Sequence, residues 1–166
     1  TEFKEGDQVY FITLKEGVSE IYKLTGKSKE SIKNVMILGG GRLGFNVAKN
    51  LCDKKFNVTI VEQNKIRALD IADKIPNAMV IHGDGRSAEL LEEENIDSID
   101  AFISVTHNSE TNIMACLMAK SKKVKKTIAL VENMDYFQLS HSIGIDTLIN
   151  KKLLTANSIF RHVRRG

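Results

Sequence analysis

The chain has little cysteine and almost no proline: two and one, respectively, in 166 residues. Cys52 and Cys116 lie far apart and match no metal-binding or redox spacing. A cytosolic, reducing setting is therefore the default expectation. Long apolar runs are missing too. No stretch approaches the roughly eighteen uncharged apolar residues that a membrane-spanning helix needs. No basic n-region with an apolar h-region opens the chain, so no secretory signal is visible. Charge of one sign is scarce. The formal net charge of +3 is too weak for a nucleic-acid partner, which calls for a denser basic face. A membrane-bound partner is compatible with all of this.

What is present is ordinary. Hydrophobic residues make up 42% and charged residues 27%, as in soluble globular proteins, and the apolar share excludes disorder. The length suits one domain, or one domain with a fragment of another, and it can bury a core without staples.

Residues 1–30 differ from the rest. Glu5-Gly6-Asp7 reads as a turn and Val9 to Leu14 as a short strand. Val18, Ile21, Tyr22 and Leu24 then fall on one face of a helical turn. Gly26 to Glu30 is polar and suits a linker. One strand and one helical turn cannot bury a core alone, so this segment is expected to be an appendage or the tail of a preceding domain.

From Asn34 onward strands and helices alternate. The predicted strands are Val35–Leu38, Asn57–Val61, Ala78–Ile81, Ala101–Val105, Thr127–Val131 and Thr147–Ile149. Val35-Met36-Ile37-Leu38 is a continuous apolar run, the signature of a strand covered on both faces. The predicted helices are Arg42–Lys54, Lys65–Ile75 with Ile66, Leu69 and Ile71 apolar and Pro76 as the stop, Ala88–Glu94, Glu110–Lys120, a helix near Tyr136–Ser140 and a last amphipathic helix over Leu153–Val163. Such alternation with short connections predicts an α/β fold, a doubly wound parallel, Rossmann-like sheet.

One motif carries chemistry. Gly39-Gly40-Gly41-Arg42-Leu43-Gly44 matches G-x-G-x-x-G, directly after a buried strand and at the start of a helix. Gly39 would allow the tight turn, Gly41 would let a pyrophosphate approach the backbone, and Gly44 would let the helix pack close to the sheet. The helix start favours phosphate through its free amides and dipole. Glu62 ends the second strand about 18 residues beyond Gly44, where a carboxylate accepts hydrogen bonds from a ribose. It would repel a 2′-phosphate, so NAD is favoured over NADP, while ATP or ADP fits the same pocket. Lys65 and Arg67, just beyond, weaken that exclusion of NADP slightly, and the plainer reading of both is a solvated helix face.

Two later segments sit at carboxyl ends of strands, where open sheets bind ligands. His82-Gly83-Asp84-Gly85-Arg86 either flanks an adenine or shapes a turn. Thr106-His107-Asn108-Ser109-Glu110 lies near the switch point, where Asn108 or Ser109 is also a candidate helix cap. The four histidines, His82, His107, His141 and His162, lack metal-ligand spacing. The lysines from Lys120 to Lys126 sit at a helix end, where dipole compensation and solubility explain them.

Together GGGRLG, VEQN, HGDG, VTHNSETNIMACLMAK and IALVENMDYFQLSHSIGID resemble the RCK or KTN nucleotide-binding domain of Trk-type potassium-uptake regulatory proteins. The resemblance covers roughly Ser31 to Gly166. The Thr-x-x-x-Glu-x-Asn segment (Thr106, Glu110, Asn112) is its more specific part. Residues 1–30 resemble the end of the small carboxyl-terminal RCK subdomain, which implies a piece of a tandem protein: the tail of one repeat, then the nucleotide domain of the next over 31–166. The resemblance implies a non-catalytic cytosolic subunit at the inner face of the membrane. It would dock under a membrane potassium channel or transporter as a dimer or ring of RCK domains, without entering the membrane, and NAD, NADH, ATP or ADP would gate ion flow. It further implies ligand contacts at Gly39, Gly40, Gly41, Arg42, Leu43 and Gly44, at Glu62 with Gln63, at Asp84 and Gly85, and at Thr106 with His107. The chain departs from the family pattern at three places. Glu132 stands where many relatives are basic, Asn150-Lys151 replaces a common Ser-Pro, and Asn108 stands where relatives often carry an acid. Leu153, Leu154, Ile159 and Phe160 form a face that suits either a dimer contact or packing on the chain's own sheet.

The alternative is a small NAD-dependent oxidoreductase. It needs an acid or base beside the nicotinamide. Tyr136 is followed four places on by Ser140, and no tyrosine here heads a Tyr-x-x-x-Lys. A DNA-binding regulator would need a basic reading element that residues 1–30 do not supply.

Overall fold

The computed structural model describes residues 13–14, 17–25, 31–133, 135–136, 144–150 and 152. The chain divides into two compact units, Thr1–Ser31 and Ile32–Gly166. In the first, helix α1 spans Val18–Thr25 and carries an exposed Lys23–Glu20 pair at 2.9 Å. Leu24, expected on an apolar face, is exposed. The expected strand over Val9–Leu14 falls outside the described residues except for Thr13 and Leu14, and the Gly26–Glu30 linker falls outside them entirely.

The second unit is built on a six-stranded, wholly parallel sheet. Its strands are β1 (Asn34–Leu38), β2 (Asn57–Glu62), β3 (Ala78–His82), β4 (Ala101–Ser104), β5 (Lys126–Val131) and β6 (Thr147–Asn150). Their spatial order is β3-β2-β1-β4-β5-β6, the doubly wound arrangement expected from the sequence. Helices α2 (Arg42–Asp53), α3 (Lys65–Lys74), α4 (Ala88–Glu93) and α5 (Ser109–Ser121) make the crossovers, with a short 3-10 turn at Ile96–Ser98.

Side-chain alternation along the strands explains the two cores. Val35 and Ile37 of β1 join Val58, Ile60, Ala48 and Ile71 on the α2/α3 face. Met36 and Leu38 join Val61, Phe102, Leu91, Ile113 and Cys116 on the α4/α5 face. Both faces of β1 are thus covered, which is why it reads as an unbroken apolar run. The predicted helix over Lys65–Ile75 forms as α3, with Ile75 outside helical geometry before Pro76 as its stop. Its apolar face is the expected one only at Ile71. Ala68, Ile71 and Ile75 point inward at helical spacing, whereas Ile66 and Leu69 are 80% and 64% exposed. Spaced three and four residues apart, Ala68, Ile71 and Ile75 share one face of the helix, and that face is the buried one.

At the amino-terminal edge of the sheet, the Asp100 carboxylate accepts from the Asn34 and Lys33 amides at 3.0 and 2.9 Å and from Lys125 Nζ at 2.6 Å. It thereby ties the starts of β1, β4 and β5 together. Asp146 does the same for β5, accepting from the Thr127 amide at 2.8 Å and from Lys120. No helix among the described residues is long and apolar enough to cross a membrane. The expected helices near Tyr136–Ser140 and over Leu153–Val163, the latter with its candidate contact face, lie outside the described residues except for Tyr136.

Candidate functional site

The strand order reverses between β1 and β4, and the chain leaves both strands at their carboxyl ends there. Such a switch point opens a crevice. The loop after β1 is shaped by its glycines. Gly39 has φ +102, and a Cβ on it would lie 3.1 Å from the Thr106 amide nitrogen. A Cβ on Gly44 would lie 1.9 Å from the Gly39 carbonyl oxygen, so only glycine lets α2 seat against the loop. Gly41 is different: a Cβ there meets nothing within 4 Å. Gly41 is the N-cap of α2, and no side chain caps this helix. The first-turn amides are therefore left without intrahelical partners, beside open space.

Glu62, at the end of β2, is buried. Its Oε2 accepts from the Gly40 amide and its Oε1 from the Asn64 amide, each at 2.7 Å. From sequence, this carboxylate is expected to have a sugar-binding task. The structure adds a second one: it is the strut under the glycine loop. A Cβ on Gly40 would lie 2.9 Å from Glu62 Oε2 and 2.3 Å from Ile71 Cδ1, so glycine is needed for the strut to pass. Each carboxylate oxygen keeps a further lone pair. The Arg67 guanidinium lies 3.9 Å from Oε2.

Two further loops close the crevice. After β3, Arg86 holds Asp84 in a fork, with Nε at 3.0 Å from Oδ1 and an amino nitrogen at 2.7 Å from Oδ2. These hydrogen bonds lower the Asp84 pKa and raise that of Arg86. His82 Nε2 lies 3.2 Å from the Gln63 carbonyl oxygen. After β4, the buried Asn112 organises the turn. Its Oδ1 accepts from Thr106 N, Thr106 Oγ1 and Ser104 Oγ at 2.9, 2.7 and 2.9 Å, and its Nδ2 donates to the Leu130 carbonyl at 2.8 Å. Asn108, one of the two candidate caps, is the N-cap of α5, accepting from the Thr111 amide. Ser109 instead accepts from the Glu132 amide at 3.0 Å. Glu110, the acid of the Thr-x-x-x-Glu-x-Asn segment, accepts from the Tyr136 hydroxyl, which lowers its pKa.

These loops surround one cavity of about 480 Å³. Of the residues singled out from sequence, Gly39, Gly41, Arg42, Leu43, Glu62, Gln63, Asp84, Gly85, Thr106 and His107 line it. Gly40 and Gly44 do not line it; they hold the loop from beneath. Arg67, read as a solvated helix face, lines the cavity, and so do Arg86, Asn108, Thr111 and Glu132. The position of Arg67 three residues after the helix cap Asn64 was the available signal, since the first turn of that helix faces the carboxyl ends of the strands. Thr111 gave none. Among the described residues no cluster of His, Cys, Asp or Glu suits a metal ion.

The arrangement fits a phosphate-bearing nucleotide. An uncapped helix start beside open space takes an anion, and a carboxylate at the neighbouring strand tip takes hydroxyls.

Residues 35–151 match the TrkA-N domain family. The Trk system potassium uptake protein TrkA of Haemophilus influenzae is 34% identical over 166 residues, covering 100% of this chain and 36% of that protein. The chain thus spans about a third of the length of the curated relatives it matches. The solved TrkA-N domain of the inner membrane protein ybaL from Escherichia coli superimposes with a TM-score of 0.71 at 13% identity, over 80% of this chain and 98% of that one. The GsuK channel bound to NAD gives a TM-score of 0.62 at 17% identity, over 74% and 22% of the two chains. The two structures are likenesses of fold.

Proposed function

The chain belongs to the TrkA-N domain family, and from this premise we propose that it is the nucleotide-binding regulatory part of a potassium uptake system. Residues 31–166 form the nucleotide domain, and residues 1–30 are the tail of a preceding small subdomain. The ligand is NAD or NADH, with ADP or ATP as the alternative. GsuK, a neighbour in fold, was solved bound to NAD and also to ADP, which supports both classes.

The observation that carries this reading is the open space at Gly41 beside the uncapped start of α2. The amides of Gly41 to Leu43 hold the phosphates there, and Arg42 supplies counter-charge. Glu62 accepts from a ribose through its remaining lone pairs. Gln63 and the Asp84–Gly85 turn bound the adenosine side, and Thr106 with His107 bounds the other. Gly39, Gly40 and Gly44 keep the loop in place.

The role is that of an effector site without turnover. A nucleotide shifts the protein between two shapes only if it binds them with different affinity. A tenfold difference corresponds to about 1.4 kcal/mol of coupling. The partner is a membrane potassium channel or transporter subunit, reached from the cytoplasmic side by a dimer or ring of such domains. Calorimetric titration with NAD, NADH, ATP and ADP, run beside sedimentation of the same samples, tests this. Saturable binding with a change in assembly or shape supports it; saturation with neither change refutes gating, and no binding refutes the site.

A further inference from the structure

Six charged side chains line the cavity: Arg42, Arg67, Arg86, Glu62, Asp84 and Glu132. Four of them pair within the protein. Arg86 holds Asp84 at 2.7 Å, and Arg67 lies 3.9 Å from Glu62. Arg42 and Glu132 have no ion-pair partner among the described residues. They stand at opposite parts of the crevice. Arg42 opens α2, at the phosphate cradle. Glu132 follows β5, on the side of the switch point away from β2 and Glu62.

Among the described residues, a ligand entering the cavity therefore meets one unpaired cation at the cradle and one unpaired anion beyond it. Its complement carries negative charge at its centre and positive charge at its far end. A dinucleotide spans the switch point, with one nucleoside on each side. With the adenosine at Glu62, the second nucleoside lies on the β4–β5 side, where Glu132 is. The nicotinamide ring carries a positive charge when oxidised and none when reduced. ADP and ATP bring no cation, and ATP extends further negative charge.

We propose that Glu132 makes this site selective for the oxidised dinucleotide, NAD⁺, over NADH and over adenine mononucleotides, so that the domain reads redox state. The proposal rests on the nucleotide-binding reading above. Glu132 is exposed, so its attraction for the ring is that of a solvated charge pair, about fivefold in affinity at contact distance.

Titration of NAD⁺, NADH and ADP into the chain and into its Glu132→Gln and Glu132→Lys variants decides it, with a thermal melt of each protein to confirm folding. The native chain is expected to bind NAD⁺ about fivefold tighter than NADH. Glu132→Gln should erase the difference by weakening NAD⁺ and leaving NADH unchanged, and Glu132→Lys should favour ADP. An NAD⁺ to NADH ratio that is near one in the native chain, or that survives Glu132→Gln, overturns the proposal while leaving the nucleotide site intact. Absence of binding by all three ligands overturns the underlying reading, and the proposal with it.

Discussion

Replacing Glu62 by alanine separates its two tasks. The carboxylate is buried and accepts from the Gly40 and Asn64 amides at 2.7 Å each. Hydrogen bonds to a charged group contribute about 1.5–3 kcal/mol apiece. The Gly40 amide is buried and would be left unsatisfied, whereas the Asn64 amide is partly open and can turn to water. Arg67, at 3.9 Å and half exposed, adds little. The expected loss of stability is about 2–4 kcal/mol, a fall of roughly 5–15 °C in melting temperature for a chain of this size. Glu62→Gln keeps one carbonyl acceptor and turns an amino group toward the other amide, so it should recover at most half. The assay is a thermal and urea melt without nucleotide, followed by calorimetry with NAD. Nucleotide affinity should fall by a further 1.5–3 kcal/mol or so in the alanine variant. An alanine variant that melts within about 2 °C of the native chain would show that the strut does not hold the loop.

Gly44→Ala should cost more than about 2 kcal/mol in urea denaturation, because its Cβ would sit 1.9 Å from the Gly39 carbonyl oxygen and α2 must move. Asn112→Ala should cost about 2–4 kcal/mol, since it takes the acceptor from the Thr106 amide and the Ser104 hydroxyl and the Nδ2 donor from the Leu130 carbonyl; denaturation midpoints check it. Asp100 has its pKa held well below the usual carboxylate range by the Asn34 amide, Lys125 and the Lys33 amide. A depressed folded pKa gives stability that is present above the unfolded value, near 4, and is lost as pH falls through the folded one. Asp100→Asn should therefore destabilise the chain at neutral pH, and the gap to the native chain should narrow as pH is lowered below about 4 in a series of melts.

The fold was legible because its signals are local. Val35 to Leu38 shows an unbroken apolar run, and a parallel sheet buried on both faces is the one setting that needs it. The glycine spacing is likewise local, and Gly39 and Gly44 meet in space because a single turn joins them. Other features depend on distant segments converging. Nothing near Glu62 says that its carboxylate passes under Gly40, because that contact is made when α2 is laid across β2. Ile66 and Leu69 have the composition of a buried face, yet α3 packs on the stripe of Ala68, Ile71 and Ile75 and leaves them outward. Arg67, Arg86, Thr111 and Glu132 come from four segments and share one cavity only once the sheet has assembled.

The central claim is that the space at Gly41 belongs to a phosphate. Gly41→Ser tests it most directly, because a Cβ at that position meets nothing within 4 Å and its backbone is extended at φ −63 and ψ −177. Serine is a favoured N-cap, so α2 should be as stable as before or slightly more so, while its hydroxyl takes the amides and its Cβ fills the cradle. Calorimetry should then show NAD affinity reduced at least tenfold, or about 1.4 kcal/mol, in a chain whose melting temperature has not fallen. Undiminished affinity in the serine variant would mean that the nucleotide binds elsewhere or not through this loop.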